Sequence, residues 1–363
     1  MSAPEHQNPG SPARPPAAPA GVDAAQRGRD DAAWDAFVDA HPLGTLFHRT
    51  PWRDLVTGEF RFVAHYLRFA QGGRIRGVLP LFVVPQPLFR RCLISVPYAV
   101  YGGLLADGDD AARALLDEAR ARLREHDGLY LELRHREHRG LEPLPGTDLY
   151  VTYVRDLPAT PEACLGVLPR KARAAARQAR ERHGLEGVAT RDLIDGFHRL
   201  FLVNKRRLGS PAFAPTFFRR ALALHGAQAG LFNVIQEGRT VSAVLYFTYR
   251  DTILPYFSGA VPEAESVHAN NFMYMALMEH AVRLGLKRFD FGRSRRDTGS
   301  ARFKENQGFR ATELPYRYLL HRAAAVPANN PSNPRYDRVK RLWARAPLWL
   351  TRRLGPRLIR YFP

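Results

Sequence analysis

The stretch from Phe289 to Phe309 gathers the side chains of this 363-residue chain that are best suited to chemistry. It opens with the alternation Phe289-Asp290-Phe291 and passes through Gly292-Arg293-Ser294-Arg295-Arg296 and Asp297-Thr298-Gly299-Ser300-Ala301. It ends on Arg302-Phe303-Lys304-Glu305-Asn306-Gln307-Gly308-Phe309. The alternation predicts a strand with Phe289 and Phe291 in the core, the Arg-rich segment predicts a basic loop, and the remainder predicts a short helix stopped by Gly308. Polar groups emerging at the carboxyl end of a sheet strand lie where open α/β folds hold ligands, so this segment, with Arg293 in its loop, is the first candidate site.

A second concentration of charge lies at residues 169–183, where Arg170, Lys171, Arg173, Arg177, Arg180 and Arg182 face only Glu181 and alanines fill the spaces. That composition predicts a basic helix on which Arg173 and Arg177, four residues apart, share a face. The lack of balancing acids points to an anionic partner rather than a solvated surface. His135 and His138 have the spacing of metal ligands, but they sit in Arg-His-Arg-Glu-His-Arg-Gly with no third ligand, which reads as a charged surface loop. No metal site is expected. The chain has no G-x-x-x-x-G-K-[ST] phosphate loop, no G-x-G-x-x-G opening a helix and no G-x-S-x-G elbow, which excludes the common nucleotide-binding and hydrolase signatures.

The elements that must position these residues are repeated. Tyr66–Phe69, a turn at Gly72-Gly73-Arg74 and 78–84 predict a hairpin, followed by an apolar run at 93–96, Pro97-Tyr98, Gly102-Gly103, a helix over 111–125 and a strand over 129–133. The same order returns as 232–235, Glu237-Gly238-Arg239, 241–249, Ile253-Leu254, Pro255-Tyr256, Gly259, a helix over 271–284 and a strand over 288–291. Pro97 to Glu132 and Pro255 to Asp290 span the same interval of 35 residues. Hairpin, strand, crossover helix and strand require a mixed α/β sheet in each half. Residues 32–157 and 158–322 are therefore expected to form two domains, divided near Asp156, Pro158 and Pro161, and the second carries the candidate site.

Composition sets the outer limits. The chain is 45% hydrophobic, enough to bury sizeable cores, and its formal charge of +19 favours a phosphorylated substrate, RNA or lipid headgroups as partner. Two cysteines, Cys92 and Cys164, exclude a disulfide framework and a four-cysteine zinc site and fit a reducing interior. Residues 1–31, rich in Pro, Ala and Gly, are expected to form a disordered leader without the apolar core of a secretory signal. No run of about 18 uncharged apolar residues occurs, which predicts a cytoplasmic protein. The tail over 323–363 carries nine cations against Asp337 from Pro334 onward, interleaved with Trp343, Leu348, Trp349 and Leu350. Two outcomes follow for it: peripheral contact with an anionic membrane, or packing against its own protein.

The order of elements, the Pro-Tyr strand with Tyr256, the Asn270-Asn271 helix start, the basic helix before the second domain and FDFGRSRRDTGSARFKENQGF together resemble the FemAB family of acyltransferases with tandem acetyltransferase-like (GNAT) domains. They are most similar to the branch associated with exosortase and exopolysaccharide systems. The resemblance implies acyl or aminoacyl transfer to an amine of a cell-envelope or exopolysaccharide precursor. It makes Phe303 and Lys304 the pair beside the reacting ester, the lysine stabilising the transition state or holding the tRNA end. It makes Lys171, Arg173 and Arg177 contacts to acceptor phosphates, and it adds Arg293, Tyr256 and Asn270 to the substrate-binding set. No resident cofactor is implied, and the donor is aminoacyl-tRNA or acyl-CoA. Acetyl-CoA enzymes of this fold hold pyrophosphate on an R/Q-x-x-G-x-G/A loop. That pattern is missing from 259–271, and Arg296-x-x-Gly299-x-Ala301 matches it one element too late, as a coincidence or a second anion site. The alternatives are an acetyl-CoA-dependent N-acetyltransferase acting on an amino sugar, and a non-catalytic GNAT scaffold that binds membrane or RNA.

Overall fold

The computed structural model describes residues 24–137, 144–327 and 334–363. The first half runs α1 (Ala24–Ala40), α2 (Thr50–Phe60), β1 (Val63–Gln71), β2 (Arg74–Pro85), β3 (Arg91–Ile94), β4 (Leu105–Ala106), α3 (Asp109–Glu125), β5 (Tyr130–Leu133), β6 (Gly146–Thr147) and β7 (Tyr150–Asp156). The second runs α4 (Ala163–Gly166), α5 (Arg170–Glu181), β8 (Glu186–Ala189), α6 (Ile194–Arg207), α7 (Pro215–His225), β9 (Ala229–Gln236), β10 (Arg239–Tyr249), β11 (Thr252–Ala260) and α8 (Ala269–Arg283). It continues through β12 (Arg288–Asp290), β13 (Ser294–Arg295), α9 (Gly299–Asn306), β14 (Ala311–Glu313) and β15 (Tyr316–Leu320), and the chain ends on α10 (Pro334–Arg345) and α11 (Leu348–Leu358).

Both predicted repeats fold as expected, into two mixed sheets. In each, an antiparallel hairpin leads to a strand whose parallel partner is reached through a helix: β3 to β5 by α3, and β11 to β12 by α8. The 35-residue interval is not a structural equivalence. Paired residues are 38 apart in the first half (Ile94 with Glu132) and 36 apart in the second (Ile253 with Phe289), so Pro97 lies beyond the end of β3 whereas Pro255 lies within β11.

The sheets do not divide at 157/158. β7, placed by the sequence in the first domain, pairs with β12, β13 and β14 in the second sheet, while β15, placed in the second domain, inserts between β5 and β6 of the first. Each half completes the other's hydrogen-bond ladder, because a sheet edge is satisfied by any strand with the right register, near in sequence or not. The end of the expected leader, 1–31, overlaps the first helix. Residues 24–31 belong to α1, where Asp31 pairs with Arg53 at 2.7 Å and Asp30 with Arg68 at 3.0 Å, and residues 1–23 lie outside the described residues.

Helices α3 and α8 each cover the outer face of one sheet, and the largest apolar cluster lies between the halves. Trp52 of α2 is fully buried there, donating Nε1–H to the Pro97 carbonyl at 3.2 Å and meeting Phe47, Phe247 and Tyr256 ring to ring. The tail takes the packed outcome on its inner side: Thr351, Gly355 and Ile359 are buried and Trp343 donates to the Ser210 carbonyl at 3.0 Å. Trp343 and Leu348, two of the four apolar residues that the membrane outcome would place in lipid, therefore face the protein.

Gly259 is where α6 presses closest on β11, since a Cβ there would lie 2.4 Å from the Phe201 backbone nitrogen. Backbone cannot yield as a side-chain tip can, so Gly259→Ala is expected to destabilise the fold by about 2 kcal/mol. Urea unfolding of the two proteins measures this; equal midpoints would show that α6 is free to shift.

Candidate active site

β11 and β12 run side by side for two residue pairs and then diverge. Beyond that point Phe291 N–H still donates to Tyr153 of β7 at 2.8 Å, but the carbonyls of residues 291–293 have lost the neighbouring strand. Gly292 turns through the left-handed region at φ +64, which aims these carbonyls inward. Lys304, on α9, fills the gap: its Nζ donates to the carbonyls of Phe291, Gly292 and Arg293 at 2.7, 2.9 and 3.2 Å. Three acceptors require three protons, so this geometry is that of the ammonium. The residue is only 7% exposed, and burial pushes its pKa down to about 7, opposed by the charge of nearby Asp290. α9 itself is set by a side-chain cap, Thr298 Oγ1 accepting from Ala301 N–H at 3.3 Å, and by Gly308 at φ +83 after its end, as the sequence predicts.

Asp290, the last residue of β12, joins the halves. It is buried, its carboxylate accepts from Gly292 N–H at 2.8 Å and from the Tyr101 hydroxyl at 3.0 Å, and Tyr101 also meets Thr152 Oγ1 of β7 at 2.5 Å. Burial raises the Asp290 pKa, with the Arg136 guanidinium and these hydrogen bonds opposing. Tyr101 and Arg136 lie between two adjoining cavities. One, of about 490 Å³, is walled by His48, Gly103, Asp109 and His135, and a smaller one of about 130 Å³ reaches Asp290 and Arg288. His48 is locked by Thr45 Oγ1 at 2.8 Å and the Gly103 carbonyl at 2.9 Å, and burial lowers its pKa to about 4, so it stays neutral. Asp109 and Asp110 occupy the first turn of α3, and Asp109 lines the larger cavity, which disfavours a pyrophosphate at that helix end.

The structure sorts the residues singled out in the sequence. Phe303 lies beside Lys304 and packs against Tyr274 and Phe291. Arg293 stacks 4.5 Å over Tyr150 and donates to the Tyr316 hydroxyl at 3.3 Å, where surrounding tyrosines and Glu132 hold it charged. Asn270 accepts from Ser242 Oγ at 3.1 Å in the first turn of α8, away from Lys304's contacts. Tyr256 is committed to the core: its hydroxyl donates to the Tyr98 carbonyl at 2.8 Å. On α5, Ala172, Ala176 and Ala179 face inward and leave Lys171 and Arg177 exposed, but Arg173 folds back on the carbonyls of Gly166 and Leu168, both at 2.9 Å. Arg296 is held by Glu313 at 2.6 Å and the Asp148 carbonyl at 2.7 Å. His135 is buried against Gly103, contrary to the surface-loop reading, because the backbone after β5 turns inward; His138 lies outside the described residues. Among the described residues no cluster of His, Cys, Asp or Glu could hold a metal. Tyr101, Thr152, Arg136 and His48 were missed, since they come from four separate segments. The one usable signal was Glu132 and Asp290, an acid near the carboxyl end of a strand in each repeat.

Two outcomes test this geometry. Lys304 has a folded pKa near 7 against an ordinary 10.5, so between these values the unfolded chain binds the extra proton and stability rises with pH. Urea midpoints of wild type and Lys304→Met between pH 6.5 and 9.5 should show that rise in wild type only. The substitution should also cost about 2 kcal/mol at neutral pH by leaving carbonyls unsatisfied; parallel pH profiles would place Lys304 outside the titration. On α5, Arg173→Gln should lower the thermal midpoint, whereas Lys171→Gln with Arg177→Gln should leave it within about 1 °C and alter only the salt dependence of polyanion binding.

Residues 168–305 match the profile described as an acetyltransferase (GNAT) domain. No curated protein matches the chain. Among solved structures, FemX superposes with a TM-score of 0.62 at 15% identity, covering 85% of this chain and 98% of its own. The C-terminal domain of a putative lysylphosphatidylglycerol synthetase from Agrobacterium fabrum gives 0.53 at 13% identity over 80% of this chain and 92% of that one. A tandem GNAT protein from the clavulanic acid biosynthesis pathway gives 0.52 at 13% identity over 81% and 94%. At these identities the likeness is one of fold. Residues 168–305 thus match a GNAT domain, and the chain folds as two GNAT-like mixed sheets.

Proposed function

We propose that this protein moves an aminoacyl group from an activated ester onto an amine of an anionic cell-envelope or exopolysaccharide precursor, as in FemAB-type amide formation. The observation that carries the reading is the ammonium of Lys304, held at the point where β11 and β12 part, beside Phe303 and within the field of Asp290. Attack by the amine forms a C–N bond at the acyl carbon and breaks the bond to the donor oxygen, and the amine's proton leaves with that oxygen. Negative charge develops on the acyl oxygen in between. Lys304 stabilises it once one of its carbonyl partners yields, which a dry site makes worth a few kcal/mol, about 100-fold or more in rate. Lys171, Arg177 and Arg293 supply cations for the precursor's phosphates, and the cavities beside Tyr101 and Arg136 give the acceptor a place to lie. FemX and a synthetase whose name joins lysine to phosphatidylglycerol support an aminoacyl group, as does the missing pyrophosphate loop over 259–271.

A second reading, acetyl-CoA-dependent N-acetylation of an amino sugar, draws on the GNAT domain profile. Titration calorimetry with CoA, uncharged tRNA and aminoacyl-tRNA separates the two. Binding to tRNA with no heat from CoA is expected, and the reverse would replace the first reading with the second. Turnover should fall as pH rises through about 7, where the ammonium loses its proton. Lys304→Met, assayed where it is folded, should lose at least about 100-fold; full turnover in this variant would remove Lys304 from the mechanism.

A further inference from the structure

The C-terminal helices present two unlike faces. Their inner side is fixed to the body: Trp343 is bonded to Ser210, Gly355 lies against the backbone of Ala212, the Tyr98 hydroxyl donates to the Ile359 carbonyl at 3.3 Å, and Arg134 reaches the Pro363 carbonyl at 3.2 Å. Their outer side leaves large apolar groups in water, with Leu342 70%, Trp349 67% and Phe362 59% exposed, and Val339 and Leu358 beside them. Between these stand Arg338, Arg341, Arg345, Arg352, Arg353 and Arg357, all exposed, none in an ion pair among the described residues. Burying apolar area and placing cations at the same surface suits a bilayer whose headgroups are anionic.

We propose that the outer face of α10 and α11 docks the protein on a membrane containing anionic lipid. The arginines lie at the headgroup level and Leu342, Trp349 and Phe362 enter the acyl boundary. α10 and α11 are too short to cross, and no helix among the described residues is long and apolar enough to do so, so the contact is peripheral. A nucleic acid would match the cations but leave the apolar side chains in water, and for that reason lipid is the better fit. The body sets the orientation of this face. Trp343 and Leu348, turned inward, take no part, and the inference is independent of the acyl donor.

The test uses the full chain and vesicles of phosphatidylcholine with or without 30% phosphatidylglycerol, a composition of roughly the usual anionic surface. The protein should sediment with the anionic vesicles alone, less so in high salt. Trp34 and Trp52 are already buried, so the accompanying blue shift in emission should vanish in Trp349→Phe. Arg352→Gln, Arg353→Gln and Arg357→Gln together should weaken partition about 100-fold, and Leu342→Ser with Phe362→Ser about 10-fold. These positions point outward, and unchanged near-ultraviolet dichroism confirms that the variants are folded. The proposal is overturned if the full chain stays in solution with anionic vesicles. It is equally overturned if binding ignores Leu342 and Phe362 and leaves Trp349 emission unmoved, which marks a polyanion surface such as one for RNA. Dissociation of a dimer by the same apolar substitutions, without vesicle binding, would assign the face to a second copy.

Discussion

A parallel strand pair that separates after two residue pairs leaves backbone carbonyls with no ladder partner, and this happens in both halves of the molecule. A buried unsatisfied carbonyl costs about 1–3 kcal/mol, so each half must supply donors. The first uses Arg134, which gives Nη1 to the carbonyls of Val96 and Ala99 at 3.0 and 2.8 Å while Nε pairs with Glu132 at 2.7 Å. The second uses Lys304 on the carbonyls of 291–293. The two solutions differ in charge balance. Arg134 has its carboxylate in contact and remains a fixed cation, whereas Asp290 turns its oxygens to Tyr101 and Gly292 and leaves Lys304 without an ion-pair partner among the described residues. One splay is closed structurally; the other keeps a cation that can exchange its proton near neutrality.

That difference depends on both halves at once. Tyr101 follows β3 in the first sheet, Thr152 lies on β7, which crosses into the second, and Asp290 ends β12. Exchange of β7 and β15 between the sheets, with the shared aromatic core around Trp52, prevents the halves from moving as independent bodies without breaking ladders or opening the core. The site is therefore held by packing rather than by a loop, which suits a group that must remain dry.

Cationic surplus is distributed by the same logic of two faces. On α5 an alanine stripe packs on α8, so most arginines have nowhere to go but water; Arg173 caps the turn before its own helix instead, and Arg180 reaches Glu279 at 2.8 Å. In α10 and α11 the inward positions are Trp343, Thr351 and Gly355 and the outward ones mix arginine with apolar groups. A sequence of alternating cations and aromatics does not say which aromatic turns inward; only the neighbouring surface of α6 and of Ala212 does.

Local signals carried the elements a long way. Alternation marked the hairpins and β12, glycine marked the turns and the end of α9, and the crossover helices followed from the repeat, because period and backbone conformation are properties of short segments. The mixed sheets were legible on that basis, whereas the GNAT-like fold and the choice of Phe303 and Lys304 came from the family resemblance. What tertiary structure alone decided was pairing over distance: β15 beside β5, Tyr256 locked onto Tyr98, Arg173 folded onto its own turn and His135 drawn inside. The composition of the interdomain site belongs with these. Tyr101, Thr152 and Asp290 meet only because strand register brings three distant segments to one point, and register is set by which buried groups must be satisfied, a condition that does not exist until the chain has folded.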